Sequence, residues 1–159
     1  WQLYKMSKLV KIANPSPYHI LEMACYMQEI DKESIELLSG MTPYEGLEQS
    51  VNNSNESYVW YVDNTLCGMG GISQVSFLSD YACPWLLCTD SIQKYKKTFM
   101  TETRSQVDEW VKTYGTLRNV VYSKHERSKR WLQWLGFKLG PAVPLGPEGA
   151  LFHFHERVR

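Results

Sequence analysis

The chain's pattern predicts an α+β fold, a mixed and mostly antiparallel sheet with helices on both faces. Three observations carry this. Apolar residues alternate between the helical period and the period-2 pattern of strands. A tight-turn pair, Asp63-Asn64, separates two strand-like runs, the signature of an antiparallel hairpin. The order reads strand, two or three helices, three strands, a long helix, strand, helix, strand, strand, which mixes neighbouring strands with helical crossovers. The 159 residues suffice for one core. With 17 basic and 17 acidic residues the net charge is zero, which argues against a general nucleic-acid or membrane-surface binder. No apolar run reaches the roughly 18 residues of a membrane span and no leader pattern is present, so the expectation is a cytoplasmic protein. Met6-Ser7-Lys8 reads as a natural start, with 1–5 an appended remnant and 6–159 a single domain.

The elements follow in order. Leu9 to Ile12 is a first strand, ended by Asn14-Pro-Ser-Pro17. Ile20, Leu21, Ala24, Met27 and Ile30 mark a helix, and Asp31 and Ser34 offer caps for another through Leu38, closed by Ser39-Gly40. Thr42-Pro43 opens a third helix in cap-then-proline order, reaching about Val51. Strands Tyr58–Val62 and Leu66–Ser73 flank the hairpin turn. Gly68, Gly70 and Gly71 in the second strand mark close approach of a backbone or ligand. Pro84–Thr89 is a short apolar strand. Ile92–Tyr114 is the longest helix, ended by Gly115, and Asn119–Tyr122 is the next strand. Ser128, Trp131, Leu132 and Leu135 then form a helical stripe that Gly136 stops. Phe137 re-enters as a strand. Gly140–Gly149, with three prolines and three glycines, reads as a loop, and Leu151–Glu156 alternates as a last strand with Phe152 and Phe154 facing the core.

The run Tyr122–Phe137, YSKHERSKRWLQWLGF, resembles the segment that closes the acyl-CoA-binding half of GNAT-type N-acetyltransferases. Ser128 takes that family's small-residue place, and Leu135-Gly136-Phe137 match its Leu-Gly-Phe. His125 stands where the family usually has Asn, and Leu132 where many members carry a Tyr that protonates the departing thiolate. Further pieces resemble a phage branch, the gene-13-type internal virion (core-assembly) proteins of short-tailed coliphages. They are Asp31-x-Glu33, Ser39–Pro43, Pro84–Leu87 with Thr89-Asp90, Trp131–Phe137, and Gly146–Gly149 ahead of Phe152.

The resemblance implies a GNAT-like sheet in which a parallel strand pair splays apart, with acetyl-CoA as co-substrate. It implies that the backbone of Leu87, Cys88 and Thr89 lines the pantetheine arm. The pyrophosphate place falls on Gln93–Lys97, where the family's glycines are missing and Lys94, Tyr95, Lys96 and Lys97 stand instead. Lysines at a helix start oppose the macrodipole, a conflict that either a bound phosphate or plain solvation offsets. A second basic cluster, Lys124, His125, Arg127, Lys129 and Arg130, opens the next helix, and His125 and Arg130 are its cofactor candidates. Asp90, Glu33 and His125 are candidate bases and Tyr122 a candidate acid; spacing singles out none of them, and each reads first as a cap or surface group. The acceptor is an unknown protein or small amine, and a homodimer or a phage or host protein is the further candidate partner. A GNAT-fold assembly or host-interaction protein without catalysis is the alternative.

Cys25, Cys67 and Cys88 lie in apolar runs and read as buried reduced thiols. His153 and His155 share a strand face with no third ligand at hand, which argues against a metal. Trp134 lies off its helix's buried stripe, as a stacking, interface or partly exposed residue.

Overall fold

A computed structural model describes residues 7–74, 76 and 78–159, so the expected start at Met6 lies outside the described residues. One seven-stranded sheet runs in the order β1-β2-β3-β4-β5-β7-β6. Its strands are β1 Leu9–Ala13, β2 Glu56–Val62, β3 Thr65–Ser73, β4 Tyr81–Cys88, β5 Thr116–Tyr122, β6 Lys138–Leu145 and β7 Ala150–Arg157. Helices α1 Pro17–Tyr26, α2 Glu29–Ser39 and α3 Pro43–Asn53 precede β2, α4 Lys96–Tyr114 precedes β5, and α5 Glu126–Trp134 follows it. All pairings are antiparallel except β4 with β5. No described helix is long and apolar enough to cross a membrane.

Local chemistry explains most boundaries. Ser16 caps α1 by accepting from His19 N–H, while His19 Nδ1 accepts from Ser16 N–H, a capping box with His in the place of Glu. The first helix was expected to reach Ile30. It stops at Tyr26 because Met27 and Gln28 turn extended, and Met27 bridges Thr89 at the end of β4. Gly40, at φ +73°, closes α2. Asp63 and Asn64 both take positive φ, as the tight hairpin requires. The long helix begins at Lys96, not Ile92, since Asp90–Gln93 winds as a 3-10 turn.

Two cores flank the sheet. Ile20, Met23, Met27, Leu47, Val59 and Met69 pack under α1–α3. Val107, Trp110, Val111, Leu117, Leu135 and Phe137 pack under α4 and α5, continued by Trp60, Phe99 and Cys88. The glycines of β3 let large groups cross it. A Cβ on Gly68 would stand 3.0 Å from Phe99, and one on Gly70 would stand 3.2 Å from the Trp60 ring and 2.7 Å from Trp85 O.

Three expectations need correction. The Gly140–Gly149 loop is mostly strand β6; a register irregularity between Leu139 and Ala142 accommodates Pro141, and only Gly146–Gly149 turns. Phe154 is 46% exposed, in an open hollow beside Arg118, Lys138 and Glu156, and His155 only 5%, because Phe137 packs edge-on against it. Cys25 is exposed on the outer face of α1 rather than buried. Trp134 is half exposed, with the Arg104 guanidinium 4.4 Å from its ring.

Candidate functional site

The site begins with a proline. β4 and β5 pair in parallel only at Tyr81–Thr116 and Ala82–Leu117. The next inward position on β4 is Pro84, which has no N–H to continue the ladder. Its carbonyl accepts instead from the Asn119 side-chain amide, at 2.6 Å. Past that bridge the two strands separate. Because Pro84 faces β5, strand alternation turns the backbone of Leu86 and Cys88 toward the gap as well.

The far end of the gap is closed by the start of α2. Cys88 N–H donates to Asp31 Oδ2 at 3.2 Å, and Cys88 C=O accepts from Gln28 N–H at 2.9 Å. Thr89 turns to β3, its N–H on Cys67 O and its hydroxyl on Leu66 O. Leu87 pairs with Met69 of β3 and packs its side chain under α1–α3. Of the gap-facing residues, Leu86 alone keeps both backbone groups free of these closures.

Asp31 and His125, both about 6% exposed, meet at 3.0 Å between Oδ1 and Nε2. His125 is also the N-cap of α5, its Nδ1 accepting from Ser128 N–H. That bond places the ring proton on Nε2, directed at Asp31, so both ring nitrogens are engaged. Ser128 Oγ lies 3.0 Å from the same Nε2. Tyr122, at the end of β5, donates to Glu33 Oε1 at 3.3 Å. Asp31, Tyr122, His125 and Ser128 all line a cavity of about 430 Å³ that passes through the strand gap from the α2 face to the α4–α5 face. Burial and the neighbouring Asp31 carboxylate push the Cys88 thiol well above its ordinary pKa, which leaves it a packed thiol rather than a nucleophile.

The two basic segments meet where α4 and α5 begin. Gln93, with its amide oxygen turned to the Arg127 guanidinium, accepts from Nη2 at 3.3 Å, tying the start of α4 to the start of α5. Lys94, Lys96, Lys97 and Arg130 are exposed there. α4 has no side-chain cap, so its first-turn N–H groups have no side-chain acceptor. Tyr95 packs against the Trp60–Phe99 cluster, and Lys94 Nζ lies 5.4 Å from its ring. Asp90 is exposed on the 3-10 turn and no hydrogen bond ties it to the Asp31–His125 pair.

Sequence reasoning took Asp31 for a helix cap and did not single out Gln28, Asn119 or Trp60. The Asp31-x-Glu33 spacing was the available signal for the first. A lone Asn inside a β-branched strand was the signal for Asn119.

No family model matches the chain, and no curated protein matches it in sequence. Solved structures do match its fold. One is the ribosomal L7/L12 alpha-N-protein acetyltransferase RimL in complex with coenzyme A, at TM-score 0.66 and 9% identity over 94% of this chain and 93% of that one. A chimera of the Vibrio cholerae spermidine N-acetyltransferase SpeG and hSSAT aligns at 0.70 and 11%, over 96% of each chain. The microcin C7 self-immunity acetyltransferase MccE, in complex with acetyl-CoA and AMP, aligns at 0.69 and 9%, over 96% of this chain and 93% of that one. At such identities the likeness is one of architecture, and that architecture is the GNAT fold.

Proposed function

We propose that this protein is an acetyl-CoA-dependent N-acetyltransferase of the GNAT type. The observation that carries the reading is the gap between parallel β4 and β5, lined by His125 and Ser128 at the start of α5, where Arg127 in turn meets Gln93 ahead of α4. A long ligand with an amide arm and a polyphosphate head suits both parts. The arm would lie against the β4 edge in the manner of an added strand. The phosphates would meet Lys94, Lys96 and Lys97 and the uncapped first turn of α4, with Arg127 and Arg130 of α5 beside them. Without glycine the approach stays open because the lysine side chains are exposed and can turn outward.

Asp31 and Glu33 supply negative charge on the α2 side, which suits a cationic amine. Asp31, a carboxylate held in place by His125, is the group we assign to take the proton from the attacking ammonium, with Glu33 as its neighbour. The amine so freed bonds to the acetyl carbon and sheds its second proton to water, the C–S bond breaks, and the sulfur leaves as thiolate. Leu132 cannot protonate it, so the proton comes from Tyr122 or water. Transfer to generic amines should therefore be slow, and activity confined to one dedicated acceptor, a protein or a small amine. The same features favour a second reading, a catalytically weak or inactive GNAT-fold protein that works by binding, in phage assembly or against a host protein. There Asp31 simply keeps Cys88 N–H occupied.

The test is release of CoA thiol from acetyl-CoA in the presence of spermidine or a lysine peptide. We expect a slow release that Leu132→Tyr accelerates. Brisk turnover by the unmodified protein would refute the assignment of position 132. No release by either form, even when acetyl-CoA is bound, would leave the binding reading.

A further inference from the structure

We infer that the indole N–H groups of Trp60 and Trp131 hydrogen-bond carbonyl oxygens of the amide arm that threads the β4–β5 gap; this rests on the proposed CoA site. The strand edge is poor in free backbone groups. An extended amide chain laid on β4 needs a donor and an acceptor at every second residue. Pro84 has no N–H and its carbonyl is held by Asn119. Cys88 has given its N–H to Asp31 and its carbonyl to Gln28. Leu86 alone remains, which cannot serve an arm with two amides.

The missing donors stand beside it. Trp60 is 1% exposed, yet its Nε1 has no hydrogen-bond partner among the described residues, and neither does the buried Nε1 of Trp131. Both residues line the cavity. The bare backbone of Gly70 lets the Trp60 ring cross β3 toward Leu86, whose Cδ1 lies 3.1 Å from the same Cβ position. Phe99 stands between the two indoles, its centroid 6.1 Å from Trp60 and 6.0 Å from Trp131, so the three rings form one row, with Leu86 packed against the same cluster. The other indoles of the sheet and α4 are not in this state. Trp85 Nε1 donates to Ser54 Oγ, and Trp110 Nε1 to Glu56 Oε1.

Leaving a buried donor unmade is costly, and an indole can only donate. Its partner must therefore be an acceptor. In an apolar row with no cation among the three rings, a neutral carbonyl fits better than a carboxylate or phosphate. The amide carbonyls of a pantetheine arm have that character.

The experiment is ¹H–¹⁵N spectroscopy of the protein with ¹⁵N-labelled tryptophan, titrated with CoA, pantetheine and 3′,5′-ADP. Trp60→Phe and Trp131→Phe replace each indole by a smaller aromatic ring without the N–H, and identify the two signals. We expect both to shift downfield with CoA and with pantetheine but not with 3′,5′-ADP, while the Trp85 and Trp110 signals hold. Each variant should weaken CoA binding roughly five- to tenfold, the effect of one buried hydrogen bond. CoA binding that leaves both signals and both affinities unchanged would overturn the inference while sparing the CoA site. A folded protein that binds neither CoA nor pantetheine would overturn the CoA site itself.

Discussion

Seven residue pairs hold β2 to β3, and two hold β4 to β5. Both pairs of strands sit in one sheet under similar helices, so the contrast isolates what opens a sheet. Where β2 and β3 meet, every residue has a donor and the glycines bring the strands and the rings above them close. Where β4 and β5 meet, Pro84 removes a donor, Asn119 takes its carbonyl, and Asp31 and Gln28 of the α1–α2 junction consume Cys88. The gap is therefore a built feature whose polar groups are satisfied from outside the ladder, not a frayed edge.

Breaking the closure should cost most. Asp31→Ala would leave His125 and Cys88 N–H without their shared partner, and we expect a loss of about 3–5 kcal/mol in urea unfolding at constant slope. Removing the exposed Glu29–Lys32 pair of the same helix should change stability by less than about 0.5 kcal/mol. Similar losses at both places would mean that the gap end is not specially held.

The second effect concerns His155, beneath the gap. Burial lowers its pKa from 6.5 to about 4. The unfolded chain therefore takes up the proton at higher pH than the folded one. Its contribution is intact above pH 6.5 and is lost as pH falls toward 4, by about 3 kcal/mol in all. His155→Phe should remove that slope between pH 6.5 and 4, seen as the wild-type-minus-variant difference in urea midpoints. An unchanged difference would mean that the folded protein admits the proton freely.

Next comes the closeness of β3. Gly70→Ala places a methyl 2.7 Å from Trp85 O and should cost about 2 kcal/mol. Gly140→Ala in β6, where the nearest atom is 3.7 Å away, should stay within about 0.5 kcal/mol. Equal costs would argue that β3 is not packed against its crossing rings as described.

The smallest effect is at the start of α4. Replacing Lys94, Lys96 and Lys97 by Glu should weaken CoA binding at least tenfold at low salt and less at high salt, since exposed charges are screened. A salt-independent affinity would place the phosphates elsewhere.

Much of the architecture was legible because it rests on local chemistry. Asp63-Asn64, Thr42-Pro43, Gly40, Gly115 and Gly136 each encode a turn or cap within a few residues. β6 was not legible, because Pro141, Pro144 and Gly140 look like loop until a register irregularity and pairing with β7 accommodate them. The burial of His155 depends on Phe137 and helix α5, and nothing in its own strand reveals it. At the site, the two basic helix starts could be read from the chain. The pairing of Asp31 could not, since its partner His125 lies 94 positions away. Trp60 could not either, because its reach toward Leu86 depends on a glycine in a neighbouring strand.

If the β4–β5 gap takes the amide arm of CoA, that arm must add to the affinity. Isothermal titration of CoA against 3′,5′-ADP tests it directly, because the two share phosphates and differ by the arm and one phosphate ester. We expect saturable one-to-one binding of CoA, clearly tighter than that of 3′,5′-ADP. Binding of CoA no tighter than 3′,5′-ADP, or no heat from either with the folded protein, would contradict it.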